Sequence, residues 1–164
     1  MRREAEFLLY QTEEGRTRVE VRFAGETAWL SLGQMADLFQ RDKSVISRHI
    51  KNVFEEGELS PGATVARFAT VQREGDRKVA RDVEYFNLDV IISVGYRVKS
   101  RRGTQFRVWA TQRLREYIVK GFTLDDERLK SAGVGNYFEE LLARIRDIRS
   151  SEKVFWRKVL EIYA

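Results

Sequence analysis

The stretch "LSLGQMADLFQRDKSVISRHIKNVFEEGEL", Leu30–Leu59, constrains this chain more than any other. Ser31 stands where a polar side chain can bind the free N–H groups of a helix start, and Leu32, Met35, Ala36 and Phe39 then fall on one helical face. A short polar break, "QRD", follows. Asp42 caps a second pattern, whose apolar face is Val45, Ile46, Ile50 and Val53. Ala36 and Ile46 lie ten residues apart, the spacing of a helix-turn-helix unit: the small residue lets two helices cross closely, and the branched one fills the angle between them. Glycine is common in such a turn, whereas Gln40 and Arg41 occupy it here.

If that unit binds DNA, Lys43–Glu55 is the helix that enters the major groove. Its outward residues Lys43, Ser44, Ser47, Arg48 and Lys51 then reach the bases, with Arg48 suited to a bidentate contact with guanine. The opposing reading is an ordinary helical hairpin with a solvated polar face. The next segment favours the first reading. "VARFATVQ" and "KVARDVEYF" flank a polar tip at Gly75–Asp76 and predict a long β-hairpin. Arg73, Arg77 and Lys78 make that tip basic, the layout of a winged helix whose wing rests on the DNA backbone.

Charge is unevenly spread. The chain carries 30 basic and 25 acidic residues, a net +5. Between Arg97 and Lys120 eight basic residues face Glu116 alone, a net +7, so everything outside that window sums to −2. Asn87 caps an apolar helix, "LDVIISVGYRV", and a second helix is expected from near Thr104 to just before Gly121. On that second helix Phe106, Trp109, Ala110, Leu114, Tyr117 and Ile118 predict a core-facing stripe. Arg107, Thr111 and Arg115 recur every four residues on another side. Like charges repel, so a cluster of Arg97, Lys99, Arg101, Arg102, Arg107 and Arg115 points to a phosphate backbone as partner. The alternative is a basic face paired with acids elsewhere in the chain.

The remaining features set limits. "TRVEVRF" alternates, with Val19, Val21 and Phe23 on one side, and "AGET" turns it back into a short strand, "AWL". "GELSPGA" holds the only proline and separates the helices from the hairpin. With no cysteine and His49 the only histidine, disulfides, thiolate or zinc sites and a histidine-based triad find no support. No catalytic residue, metal or cofactor is assigned. "DDE" at Asp125–Glu127 reads as a helix start, where acids suit the dipole, before it reads as nuclease chemistry. The start shows no signal-peptide pattern and the longest apolar run, "VIISVGY", is far shorter than a membrane span of about 18 residues, so a soluble cytoplasmic protein is expected.

After "TLDDERLK" and a joint, "SAGVGN", one long helix is expected from Tyr137 onward. Phe138, Leu141, Ile145, Ile148, Phe155, Val159 and Ile162 alternate at three and four residues, with Glu152 in the one missing place. At about 28 residues it would extend about 40 Å, so it either packs across the body or pairs with a second copy. A homodimer through this helix is the expected assembly. The fold class is α+β: a small N-terminal β unit, a winged helix-turn-helix-like core, further helices and the long C-terminal helix. The expected domains are 1–122, DNA-binding, and 123–164, joint and oligomerisation helix.

"LLYQTEEGRTRVEVRF", "LFQRDKSVISRHIKNVFEEGEL", "FNLDVIISVGYRVKSRRGTQFRVWATQRLREYIVKGF" and "YFEELLARIRDIRSSEKVF" resemble the N-terminal part of the RhuM family of bacterial virulence-associated proteins. The segment from Ser93 to Gly121 is also similar, more distantly, to the phage antirepressor Bro-N pattern of a glycine–tyrosine pair, a basic run and a phenylalanine–x–x–tryptophan helix. These resemblances imply a bacterial, mobile-element protein associated with DNA, whose relatives continue beyond "LEIYA". The function expected is a double-stranded DNA-binding regulator, not an enzyme. The alternatives are an antirepressor-like protein-interaction module, or the DNA-targeting part of a toxin or nuclease.

Overall fold

A computed structural model describes residues 4–12, 15–24, 27–130 and 137–163; within 4–24, and at 72 and 74, it describes backbone only. The chain is α+β and divides into two units, Met1–Arg115 and Glu116–Ala164.

In the first unit, β1 (Glu4–Thr12) and β2 (Gly15–Ala24) form one hairpin, and β4 (Val65–Glu74) and β5 (Arg77–Asn87) form another. The short strand β3 (Thr27–Ser31) joins them into one antiparallel sheet in the order β1-β2-β3-β5-β4. β1 is not among the strands that alternation predicts, since "EFLLYQ" alternates poorly. The side-chain orientation expected for Val19, Val21 and Phe23 lies outside the described residues, as do the turn at 25–26 and the joint at 131–136.

Pairing along β5 is uneven. β3 meets it only at Trp29↔Asn87, Leu30↔Phe86 and Ser31↔Tyr85, whereas β4 pairs with it over its whole length, from Val65↔Phe86 to Glu74↔Arg77. Near β3 the strand is buried, and toward the tip both its faces are largely exposed. The hairpin is therefore rooted at one end and projects at the other. Gly75 turns it with φ +60°, a conformation that costs glycine little.

Helices α1 (Leu32–Phe39), α2 (Lys43–Glu55) and α4 (Leu88–Arg97) pack together over β3 and β5, with the one-turn α3 (Pro61–Thr64) leading into β4. Each main helix starts on the cap the sequence specifies. Ser31 Oγ accepts the Gln34 N–H at 3.3 Å while Gln34 Oε1 accepts the Ser31 N–H at 2.8 Å, a reciprocal capping box. Asp42 Oδ1 accepts the Ser44 N–H at 2.8 Å, and Asn87 Oδ1 accepts the Val90 N–H at 3.2 Å. Their apolar faces form one core with Leu30, Met35, Ala36, Leu38, Phe39, Ile46, Ile50, Val90, Ile91, Val94 and Val98 buried in it. Ala36 and Ile46 are both members, as their spacing requires.

Helix α5 (Arg101–Lys120) begins three residues earlier than expected, because Ser100 caps it: its Oγ accepts the Gly103 N–H at 2.9 Å. The same hydroxyl donates to the Phe39 carbonyl at 2.7 Å, tying the start of α5 to the end of α1. Phe106 is fully buried against Phe39, and Trp109 packs beside it. The expected stripe stops there. Leu114, Tyr117 and Ile118 are exposed, so only the first half of α5 is anchored in a core.

In the second unit, α6 (Asp126–Lys130) starts on Asp125, whose Oδ1 accepts the Arg128 N–H at 3.1 Å. The "DDE" run is thus a helix start. The expected single helix is two: α7 (Tyr137–Ser150) and α8 (Glu152–Tyr163). The break falls at Ser151, whose carbonyl accepts the Val154 and Phe155 N–H groups, both at 3.1 Å, and whose Oγ takes a longer bond, 3.4 Å, from Val154. A serine pair competes with its own helix for backbone groups and restarts it as a cap. Glu152, the polar interruption of the heptads, then sits in the first turn of α8, where the helix dipole favours an acid.

Candidate functional site

Ile46, Ile50 and Val53 fix one side of α2 in the core. At 100° per residue, Ser44, Arg48, Lys51 and Glu55 share an arc of roughly 60° on the opposite side, with Ser47 flanking it. All of these and Lys43 are exposed. The helix thus presents Ser44, Arg48 and Lys51, with Ser47 beside them, on the side away from the core. Glu55 closes that side at its C-terminal end, pairing with Lys51 at 3.4 Å, whereas Lys43 stands near the core-facing side. Lys43 leans back over α1, its Cε within 3.5 Å of where a β-carbon on Gly33 would stand.

The turn before α2 shows how this helix is aimed. Gln40 adopts φ 48° and ψ 55°, the left-handed region. Its N–H donates to the Asp37 carbonyl at 3.3 Å, and the Arg41 N–H donates to the Ala36 carbonyl at 3.0 Å. This pair of bonds is the helix end that usually takes glycine. The turn keeps the geometry and only the residue differs.

At its other end α2 is held by an ionic strap. Arg97, the last residue of α4, bonds Glu56 at 2.6 Å and also Glu58. Glu58 accepts a further bond from the Ser93 hydroxyl at 2.7 Å. The guanidinium holds the Glu56 carboxyl below its usual range. Ser93 and then Arg97 do the same for Glu58, and the two acids push Arg97 further up. His49, on the rim of α2, is held below the usual imidazole value by burial and by the charges of Arg48, Arg97 and Arg41.

The expected row of phosphate clamps is therefore not uniform. Arg97 is engaged with two carboxylates. Arg107 turns back to the end of α4, donating to the carbonyls of Gly95 at 3.2 Å and Val98 at 2.8 Å and to Thr104 Oγ1 at 3.1 Å. A cation at a helix C-terminus satisfies orphan carbonyls and opposes their dipole. Charge counting from sequence misses both roles, because each partner lies on another element or turn. Lys99, Arg101 and Arg115 are exposed and Arg102 is half-buried. Arg107, Thr111 and Arg115 do come together as their spacing predicts, lining one shallow open groove with Thr104, Val108 and Gln112.

On the hairpin, Arg73, Arg77 and Lys78 are exposed at the projecting tip, with Arg73 directly across from Lys78. Like charges so placed destabilise a strand pair. Of the residues expected to oligomerise, Phe138, Ile145, Ile148, Phe155 and Ile162 are exposed and Leu141 and Val159 half-buried. No helix among the described residues is long and apolar enough to cross a membrane, and no group of three or more His, Asp or Glu there is placed to hold a metal.

The protein-family model described as Virulence protein RhuM family matches residues 63–164, more than half of the chain. The matched segment takes in the second hairpin and α4 to α8, and leaves α1 and α2 ahead of it. No curated protein and no solved structure matches. The chain belongs to the RhuM family.

Proposed function

We propose that this member of the RhuM family binds double-stranded DNA through a winged helix-turn-helix, with α2 in the major groove and the β4–β5 hairpin as the wing. The observation that carries this reading is the outward face of α2. Ser44, Ser47, Arg48 and Lys51 project from a helix whose opposite side is locked by Ile46, Ile50 and Val53 and whose two ends are held by the Gln40 turn and the Arg97 strap. A helix held this rigidly can place side chains against base edges reproducibly, and its short serines let the backbone approach.

Element order supports the same reading. β3, α1, α2, β4 and β5 come in that order, with the one-turn α3 between α2 and β4, and β3 pairs β5 antiparallel at the root of the hairpin. Arg48 reads bases in this arrangement, with Lys43, Ser44, Ser47 and Lys51 around it. Lys99, Arg101, Arg102 and Arg115, together with Arg73, Arg77 and Lys78 on the wing, lie along the phosphates. Arg97 and Arg107 act indirectly, by holding α2 and α4. Regulation of transcription is the role such a domain would serve.

Selection of bound sequences from a random duplex pool tests the reading. The parent enriches a defined site, and Arg48→Ala binds it with a loss of about 1–3 kcal/mol and relaxed preference at one position. Absence of salt-dependent binding to any duplex at micromolar protein would refute it.

A further inference from the structure

The second unit, Glu116–Ala164, has no buried residue in α6, α7 or α8. Its large apolar side chains face outward instead: Ile148 is 60% exposed, Phe155 62%, Trp156 57%, Leu160 68% and Ile162 78%. On α7 the apolar residues gather on one side, and on α8 they span roughly half the circumference. Aromatic side chains each bury about 150–250 Å² when covered, and leucine and isoleucine less. The nine large apolar side chains that stand exposed on α7 and α8 amount to on the order of 1,000 Å² of apolar surface, close to what one partner gives to a stable interface. A monomer rarely leaves a patch of that size to water.

Charge narrows what covers it. Residues 116–164 hold nine basic and nine acidic side chains, so the chain's whole +5 lies in the first unit. A neutral surface is poorly suited to a polyanion or an anionic membrane, and it lets two copies approach without net repulsion. α7 is also polarised, with Glu139 and Glu140 in its first turn, Glu140 bonded to Arg144 at 2.6 Å, and with Arg146 and Arg149 on either side of Asp147 near its end. Two such helices side by side and antiparallel place each acidic end beside a basic end.

We propose that the apolar faces of α7 and α8 form the contact surface for a second copy of this chain, the two α7 helices lying antiparallel about a two-fold axis. Such an isologous contact uses one patch twice and closes on itself. It stands independently of DNA binding.

Sedimentation equilibrium of the 164-residue chain tests it. The parent is expected to be a dimer at micromolar concentration. Ile148→Glu with Phe155→Glu weakens the dimer by at least about tenfold, with helical circular dichroism retained because neither side chain is buried. Glu139→Arg with Glu140→Arg weakens it as well, and adding Arg146→Glu with Arg149→Glu restores it. A parent that stays monomeric at every concentration, its faces left to another protein or to lipid, overturns the proposal. So does a dimer indifferent to the Ile148 and Phe155 changes, or one that the second charge reversal fails to restore.

Discussion

Gly95 lies so close to the Phe106 ring that a β-carbon on it would stand 2.5 Å from Cε1 and 2.6 Å from Cδ1. Phe106 is 1% exposed, with Phe39, Tyr96 and Trp109 rings around it at centroid distances of 5.8, 6.2 and 5.9 Å. The ring has nowhere to retreat. This contact gives a packing reason for the glycine–tyrosine pair and the phenylalanine–x–x–tryptophan spacing in the sequence: the glycine admits the ring that seats α5 on α4.

Gly95→Ala is therefore expected to destabilise the first unit by about 1–3 kcal/mol through overpacking, despite alanine's better helix propensity. Phe106→Leu alone also destabilises, by leaving a cavity. The double variant should lose less than the sum of the two, since the smaller side chain makes room for the methyl. Urea unfolding of all four proteins, followed by circular dichroism, gives the coupling directly.

Gln40 invites the opposite change. At φ 48° a side chain costs about 1 kcal/mol that glycine avoids, offset in part by glycine's greater freedom when unfolded. Gln40→Gly is expected to leave stability unchanged or raise it by up to about 1 kcal/mol, and Gln40→Val to lower it by at least as much. The thermal midpoints of the two variants should fall in that order, with the parent between them or level with the glycine form.

Much of this was legible beforehand. Ser31, Asp42 and Asn87 cap the helices assigned to them because capping is local and chemically specific. The β4–β5 hairpin and its Gly75–Asp76 tip were legible for the same reason. What escaped depends on partners distant in sequence. A guanidinium held by Glu56 and Glu58, about forty residues away, looks the same in a sequence as one facing solvent. The heptads after Tyr137 run through Ser151 in unbroken register, because a hydrophobic period continues through a break that two serines impose. Leu114, Tyr117 and Ile118 extend a helical stripe correctly, yet a stripe does not say whether anything lies against it.

The Arg97 strap makes stability depend on acid. Glu56 and Glu58 are both held below the usual glutamate value of 4.5. Their folded forms therefore resist protonation more than the unfolded chain does, and the stability this gives is complete above about pH 4.5. It is lost as pH falls through the lowered folded values, while Arg97 stays charged throughout. Both acids are substantially exposed, so the effect is modest. Glu58→Gln should be less stable than the parent near neutrality, and the gap between the two should close as the pH drops below 4. Urea midpoints measured from pH 7 to pH 3 check this; a gap independent of pH would remove the strap's ionic role.

The hairpin tip separates folding from binding. Arg73 and Lys78 face each other across the β4–β5 ladder, where two like charges oppose strand pairing, and Arg77 adjoins them. Replacing both with alanine removes that repulsion, so Arg73→Ala with Lys78→Ala should fold with unchanged stability or a gain of a few tenths of a kcal/mol. If the tip lies along DNA as a wing, the same variant binds every duplex more weakly. The slope of log affinity against log salt then becomes shallower by about 0.9 for each lost phosphate contact, close to two in all. Preference among sequences should hold, because base readout sits on α2. A salt titration of parent and variant on one duplex measures both quantities. An unchanged slope alongside intact folding would take the hairpin out of the interface and leave its basic tip unexplained.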